Sequence, residues 1–287
     1  MSFAQTVALG ALAGFTIYLG LPIGRLQLID RRMRVAMAMF AVGVLAFIFV
    51  DVLSHATQIV NNALSAAQHH HGSAAYVVWL VVLLAAGFAS GSAGLAVIER
   101  RMRPLGAHRP PMAGGAGAAA LTTTEADALA AELDAARRRA LRTGLSIAAA
   151  IGVHNFAEGL AIGVSARTGA ISLATVLIVG FALHNATEGF GIVGPLGDVK
   201  PSWRWLGLAG LIGGGPTFVG SIVGYGVTSH PLELAFYAAA GGAILYVIGE
   251  VWNAMRRYGH RELGLIMLSA GFLVGVITDL IVTLGGA

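Results

Sequence analysis

The chain has 287 residues, 56% of them apolar and only 11% charged, with no cysteine and a net charge of +4. A soluble globular domain is typically about one quarter charged, so this composition excludes an ordinary cytosolic domain, a disordered chain and a nucleic-acid binder. A mean hydropathy of +0.77 places the chain in a bilayer, and without thiolates any bound metal must use imidazole, carboxylate, amide or thioether ligands.

A transmembrane helix needs about 20 mostly apolar residues. Eight such segments are predicted, over 3–23, 35–56, 75–98, 142–165, 171–193, 205–227, 233–252 and 263–283. The first is read as a retained span, because Met1 to Gln5 lacks the basic n-region of a secretory signal. Basic residues collect in cytoplasmic loops. Loops one, three, five and seven hold seventeen of the eighteen, among them Arg25, Arg31, Arg32 and Arg34 in the first and Arg256, Arg257 and Arg261 in the seventh. This alternation predicts both termini outside the cytoplasm.

The chain reads as one transmembrane domain, 1–287, with a single long cytoplasmic loop at 99–141. That loop starts as a Gly/Ala/Pro-rich flexible linker and ends in a short helix leading into span four, with Thr122 to Glu125 as its cap, acids early and arginines late. Gly159 with Gly163, Gly220 with Gly224, and Gly271 with Gly275 have the spacing that lets membrane helices approach closely.

Two polar segments at membrane depth carry the chemistry: His154-Asn155-Phe156-Ala157-Glu158-Gly159 in span four and His184-Asn185-Ala186-Thr187-Glu188-Gly189 in span five. Both read H-N-x-x-E-G, and both fall near the middle of their span. On a helix, residues three and four apart share a face, so His154, Asn155 and Glu158 form one coordinating face and His184, Asn185 and Glu188 a second. A short link between the spans makes them antiparallel neighbours. Two imidazoles, two carboxylates and two amide oxygens then converge, a set suited to zinc or ferrous iron. Two other readings of the same residues stay open: His–Glu pairing that only fixes helix packing, and a proton relay.

These paired motifs in the fourth and fifth of eight spans, with a variable third loop, resemble the Zrt/Irt-like (ZIP) family of divalent metal transporters. The resemblance covers the whole chain, extending to Asp51 to Ala56 in span two and to Leu245 to Glu250 in span seven. It implies an all-α integral membrane protein of inverted-repeat architecture with a metal site between spans four and five. It also implies metal access from the extracytoplasmic side, an elevator-type movement of spans one, four, five and six, and a homodimer. Two departures stand out. The Pro that often precedes the Glu is replaced by Ala157 and Thr187, the latter able to supply a hydroxyl. No acid lies between Trp205 and Leu232 in span six, where relatives with two metals place a carboxylate, so one tightly held metal is expected, bound mainly by His154, Glu158, His184 and Glu188, with Asn155 and Asn185 secondary.

Asp51 and His55, four residues apart near the outer end of span two, are candidates to catch the ion on its way in, or to pack and cap. Glu250, near the inner end of span seven, either serves release or neutralises Arg256 and Arg257. His69, His70 and His71 either concentrate metal outside or form a solvated loop. No phosphate-cradling G-x-x-x-x-G-K-[ST] motif is present. The expected function is secondary transport of a divalent metal, zinc foremost, with iron, manganese or cadmium as alternatives, into the cytoplasm by alternating access. An intramembrane metalloenzyme and a non-transporting metal sensor are the competing readings. No enzyme activity, prosthetic group or nucleic-acid partner is expected; the partners are the metal ion and the lipid bilayer. The expected location is a bacterial inner membrane.

Overall fold

Apolar runs punctuated by Ser, Asp, Gly and Pro give helices throughout the computed structural model, which describes residues 1–26, 30–69, 71–102, 123–167, 182, 184–226 and 229–284. Helix α1 (Phe3–Phe15) starts at a capping box, in which the Ser2 hydroxyl accepts from the Gln5 backbone and the Gln5 side chain accepts from that of Ser2. Two short helices follow, α2 (Ile17–Gly20) and α3 (Ile23–Leu26). The expected first span is therefore interrupted. The Thr16 hydroxyl donates to the Ala13 carbonyl at 2.6 Å, and Pro22 has no N–H to continue the helical ladder.

Helix α4 (Arg31–Gln68) is capped by Asp30, whose carboxylate accepts from the Met33 backbone at 2.7 Å. At 38 residues it is about 57 Å long, against a hydrocarbon core of about 30 Å. It runs three turns beyond the expected end of span two. Helix α5 (Ala74–Ala89) passes through a single π turn at Ser90–Gly94 into α6 (Leu95–Met102). Helix α7 (Thr123–Arg167) runs without a break through the residues expected as a short loop helix and as span four. The linker at 103–122 lies outside the described residues. Helix α8 (184–193) falls in the expected span five, of which 171–181 and 183 lie outside the described residues. Helices α9 (Trp203–Gly226), α10 (His230–Met255) and α11 (Arg261–Leu284) complete the chain. Seven helical stretches among the described residues are long and apolar enough to cross a bilayer.

The helices form two groups. In one, α7 packs along α9 and α1 lies against both, while α2 meets α8 where Gly20 touches the Ala186 carbonyl. In the other, α4 packs on α10, α11 and α5. Helix α10 also packs on α7 and so joins the groups. Small residues set these distances: a methyl group at Gly159 would strike the Thr217 carbonyl, one at Gly220 the Phe156 carbonyl, and one at Gly271 the Phe40 carbonyl. The glycine pairs of the sequence are contact points between helices.

Loops expected on one side of the membrane meet at one end. Arg34 at the start of α4 is buried, and its guanidinium donates to Asp198, beyond α8, at 3.0 Å. The same guanidinium lies 5.8 Å from the ring of Tyr258, beyond α10.

Candidate metal centre

The cluster forms because α7 and α8 each present their polar motif to the other at the same level. Helical spacing puts His154 and Glu158 on one face of α7, with His154 Nε2 2.8 Å from Glu158 Oε1. From α8, His184 Nε2 reaches the same oxygen at 2.5 Å. The two imidazole centroids are 6.3 Å apart, and ligand atoms of His154, Glu158 and His184 lie within 4.8 Å of one another. Glu188 stands beside this trio, with Oε1 3.9 Å from His154 Nε2. His154, Asn155, Asn185 and Glu188 are fully buried, and Glu158 is 5% exposed.

The two asparagines are held by backbone. Asn155 Nδ2 donates to Glu188 Oε2 at 3.1 Å and to the Gly213 carbonyl at 2.9 Å. Asn185 Nδ2 donates to the Ala13 carbonyl at 3.0 Å, a carbonyl at the interruption after α1. Each amide thus keeps its oxygen unpartnered and turns its nitrogen to structural work. The Thr187 hydroxyl, expected to serve the site, donates instead to the His184 carbonyl at 2.7 Å.

Sequence reasoning missed the two carbonyl anchors, Ala13 and Gly213, since any residue can offer a carbonyl. The only signals are the Gly-Gly-Gly-Pro run at 213–216, within α9, and Thr16 followed by Pro22 in the first span.

Unpaired polar atoms point to what the site takes. His154 Nδ1, Asn155 Oδ1, Asn185 Oδ1, Glu158 Oε2 and Glu188 Oε1 are buried without a hydrogen-bond partner. A group left unsatisfied in a membrane interior costs several kcal/mol, and two carboxylates placed together are mutually repulsive unless a cation lies between them. A divalent ion answers both, bringing the charge of the two carboxylates close to neutral. Its binding requires neutral imidazoles and ionised carboxylates.

The other candidates are not among the converging ligand atoms, although the Asp51 carboxylate is near enough to interact electrostatically with Glu158 and His154. Asp51 and His55 sit midway along α4, not near its outer end, because that helix continues to Gln68. His55 Nδ1 is 3.0 Å from the Asp51 carbonyl and 3.6 Å from its carboxylate, and the imidazole lies 5.7 Å from the ring of Tyr237 on α10. Both side chains are about half exposed, at 41% for Asp51 and 54% for His55. Glu250 is half-buried, five residues before the end of α10. His69 caps α4 and His71 donates its backbone N–H to the Ala66 carbonyl, while His70 lies outside the described residues.

Fold and cluster together define an all-helical membrane protein with a buried His/Glu site suited to a divalent metal. The chain is similar to Zinc transporter ZupT of Clostridium perfringens (strain 13 / Type A), with 33% identity over 150 residues, 49% of this chain and 51% of that protein. The match spans about half the length of that relative. It supports the resemblance to the ZIP family carried by the paired motifs. No family model matches the chain.

Proposed function

We propose that the chain is a secondary transporter that carries a divalent transition metal, zinc foremost, into the cytoplasm. The observation that carries this reading is the convergence of His154, Glu158, His184 and Glu188 from two helices into one buried cluster. Similarity to a protein named as a zinc transporter supports metal as the cargo and speaks for carriage rather than catalysis. Zinc takes imidazole and carboxylate together at about 2.0–2.2 Å, whereas calcium and magnesium sites are built from oxygen.

The remaining topology belongs to the same proposal: eight spans, both termini outside, inverted repeats and a bacterial inner membrane. Alternating access would move α1, α7, α8 and α9 as one body against α4, α5, α10 and α11. The two-group packing supports this division, and transporter sites lie near the midplane where repeats meet. Asp51 and His55 are placed by this reading on the path into the site and Glu250 on the path out. With no acid in span six, one ion is carried at a time.

The test is zinc uptake into proteoliposomes under an imposed zinc gradient without ATP, wild type beside Glu188→Ala. Wild-type uptake that falls to the level of empty liposomes in the variant is the expected result. Folded wild-type protein that binds zinc and gives no uptake would overturn the proposal.

A further inference from the structure

At the basic end of the molecule a cavity of about 420 Å³ opens between α4, α10 and α11. Its interior is apolar, formed by Val35 and Met39 of α4, Trp252 and Met255 of α10, and Leu265 of α11. Its mouth is cationic. Arg256 and Arg261 line it from either side of the α10–α11 turn, with His260 between them. All three are exposed, and neither arginine has a carboxylate partner among the described residues. The nearest acid in sequence, Glu262, is not among the lining residues.

The turn is built to hold these cations at the mouth. Gly259 and His260 both have positive φ, 74° and 56°, which reverses the chain within two residues. For His260 that conformation is disfavoured. Arg261 then falls in the first turn of α11, the helix end at which the dipole disfavours a cation and favours an anion. Arg32 adds to the field, lying three and seven residues before Val35 and Met39 and so on the same side of α4. Arg31 and Arg34, by contrast, are turned to Asp198.

We infer that this cavity is a binding site for one anionic phospholipid, its phosphate at Arg256 and Arg261 and an acyl chain along Met39, Trp252 and Leu265. Charge complementarity selects the headgroup: a mouth with two unpaired arginines and no lining acid favours an anion over a zwitterion. The surroundings select a lipid over a soluble phosphate. Leu265 and Ile266 are 42% and 64% exposed, so the cavity opens on an apolar outer face of α11. Basic pockets between membrane helices at a cytoplasmic face are suited to anionic headgroups. A bound lipid would brace α4 against the α10–α11 turn.

The test uses the full chain in nanodiscs of phosphatidylcholine with a minor fraction of phosphatidylglycerol, released from the disc and weighed by native mass spectrometry. Wild type is expected to retain one phosphatidylglycerol in preference to phosphatidylcholine. The double variant Arg256→Gln with Arg261→Gln is expected to lose that preference by roughly tenfold. Gly264→Leu, which fills the cavity and keeps both charges, is expected to lower retention likewise. Arg137→Gln with Arg138→Gln, an equal charge loss on α7 away from the cavity, is expected to leave it unchanged. Equal retention of both lipids by wild type, an unaffected Arg256/Arg261 variant, equal loss in the α7 variant, or displacement of the lipid by inorganic phosphate would each overturn the inference.

Discussion

One oxygen atom organises the centre. Glu158 Oε1 meets both imidazoles, so it occupies ground that a bound cation would share with His154 and His184. Glu158→Gln keeps the shape and removes the charge. Zinc affinity measured by calorimetry should fall at least about 100-fold, roughly 2.7 kcal/mol, while the helical fold persists. Asn155 acts at one remove, through its bonds to Glu188 and the Gly213 carbonyl. Asn155→Ala should lower zinc affinity about 10- to 100-fold, the range for groups that orient metal ligands; an unchanged affinity would show that Glu188 needs no such support. The histidines and carboxylates of the site were legible in the sequence because helical spacing and motif repetition both mark them. What the asparagines do was not, because two of their three nitrogen partners, at Gly213 and Ala13, are backbone carbonyls that any residue could supply.

Helices are placed by small residues, and the consequence is sharply local. Gly220 of α9 abuts the Phe156 carbonyl on α7, whereas a methyl group added at Gly207 on the same helix would meet nothing within 4 Å. Gly220→Val should therefore lower the melting temperature of the purified protein, at a cost of about 1–3 kcal/mol or more from overpacking. Gly207→Ala should leave it unchanged or raise it, since alanine in a helix is favoured by about 0.5–1 kcal/mol over glycine. Thermal melts in one detergent compare the two. The spans themselves were legible as apolar runs of the right length. The overhang of α4 was not, because Thr57, Gln58, Asn61, Asn62 and Gln68 signal the end of the apolar run and not the end of the helix. The break at Thr16 escaped for the opposite reason, as its neighbours are apolar enough to pass for continuous helix.

At the scale of the whole molecule, two helix groups meet along α10 and α7, and near one end the Arg34 to Asp198 pair bridges α4 to the segment after α8. Asp198 is 72% exposed while Arg34 is only 10% exposed, so the pair holds a buried guanidinium to a solvated carboxylate. The chain has no cysteine, so Arg34→Cys with Asp198→Cys can be joined by a short bifunctional thiol reagent. If the groups slide past each other, the joined protein should lose zinc uptake, and a reductant that cleaves the linker should restore it. Full activity of the joined protein would mean that transport needs no movement at this boundary. The most direct measurement remains the identity of the ligands: zinc-edge X-ray absorption on protein loaded with one equivalent of zinc, wild type beside His184→Ala. Two imidazole nitrogens and carboxylate oxygen at about 2.0–2.2 Å in the wild type, with one imidazole lost in the variant, is the expected result. A zinc environment that is the same in both proteins would contradict the assignment of the α7–α8 cluster as the metal centre.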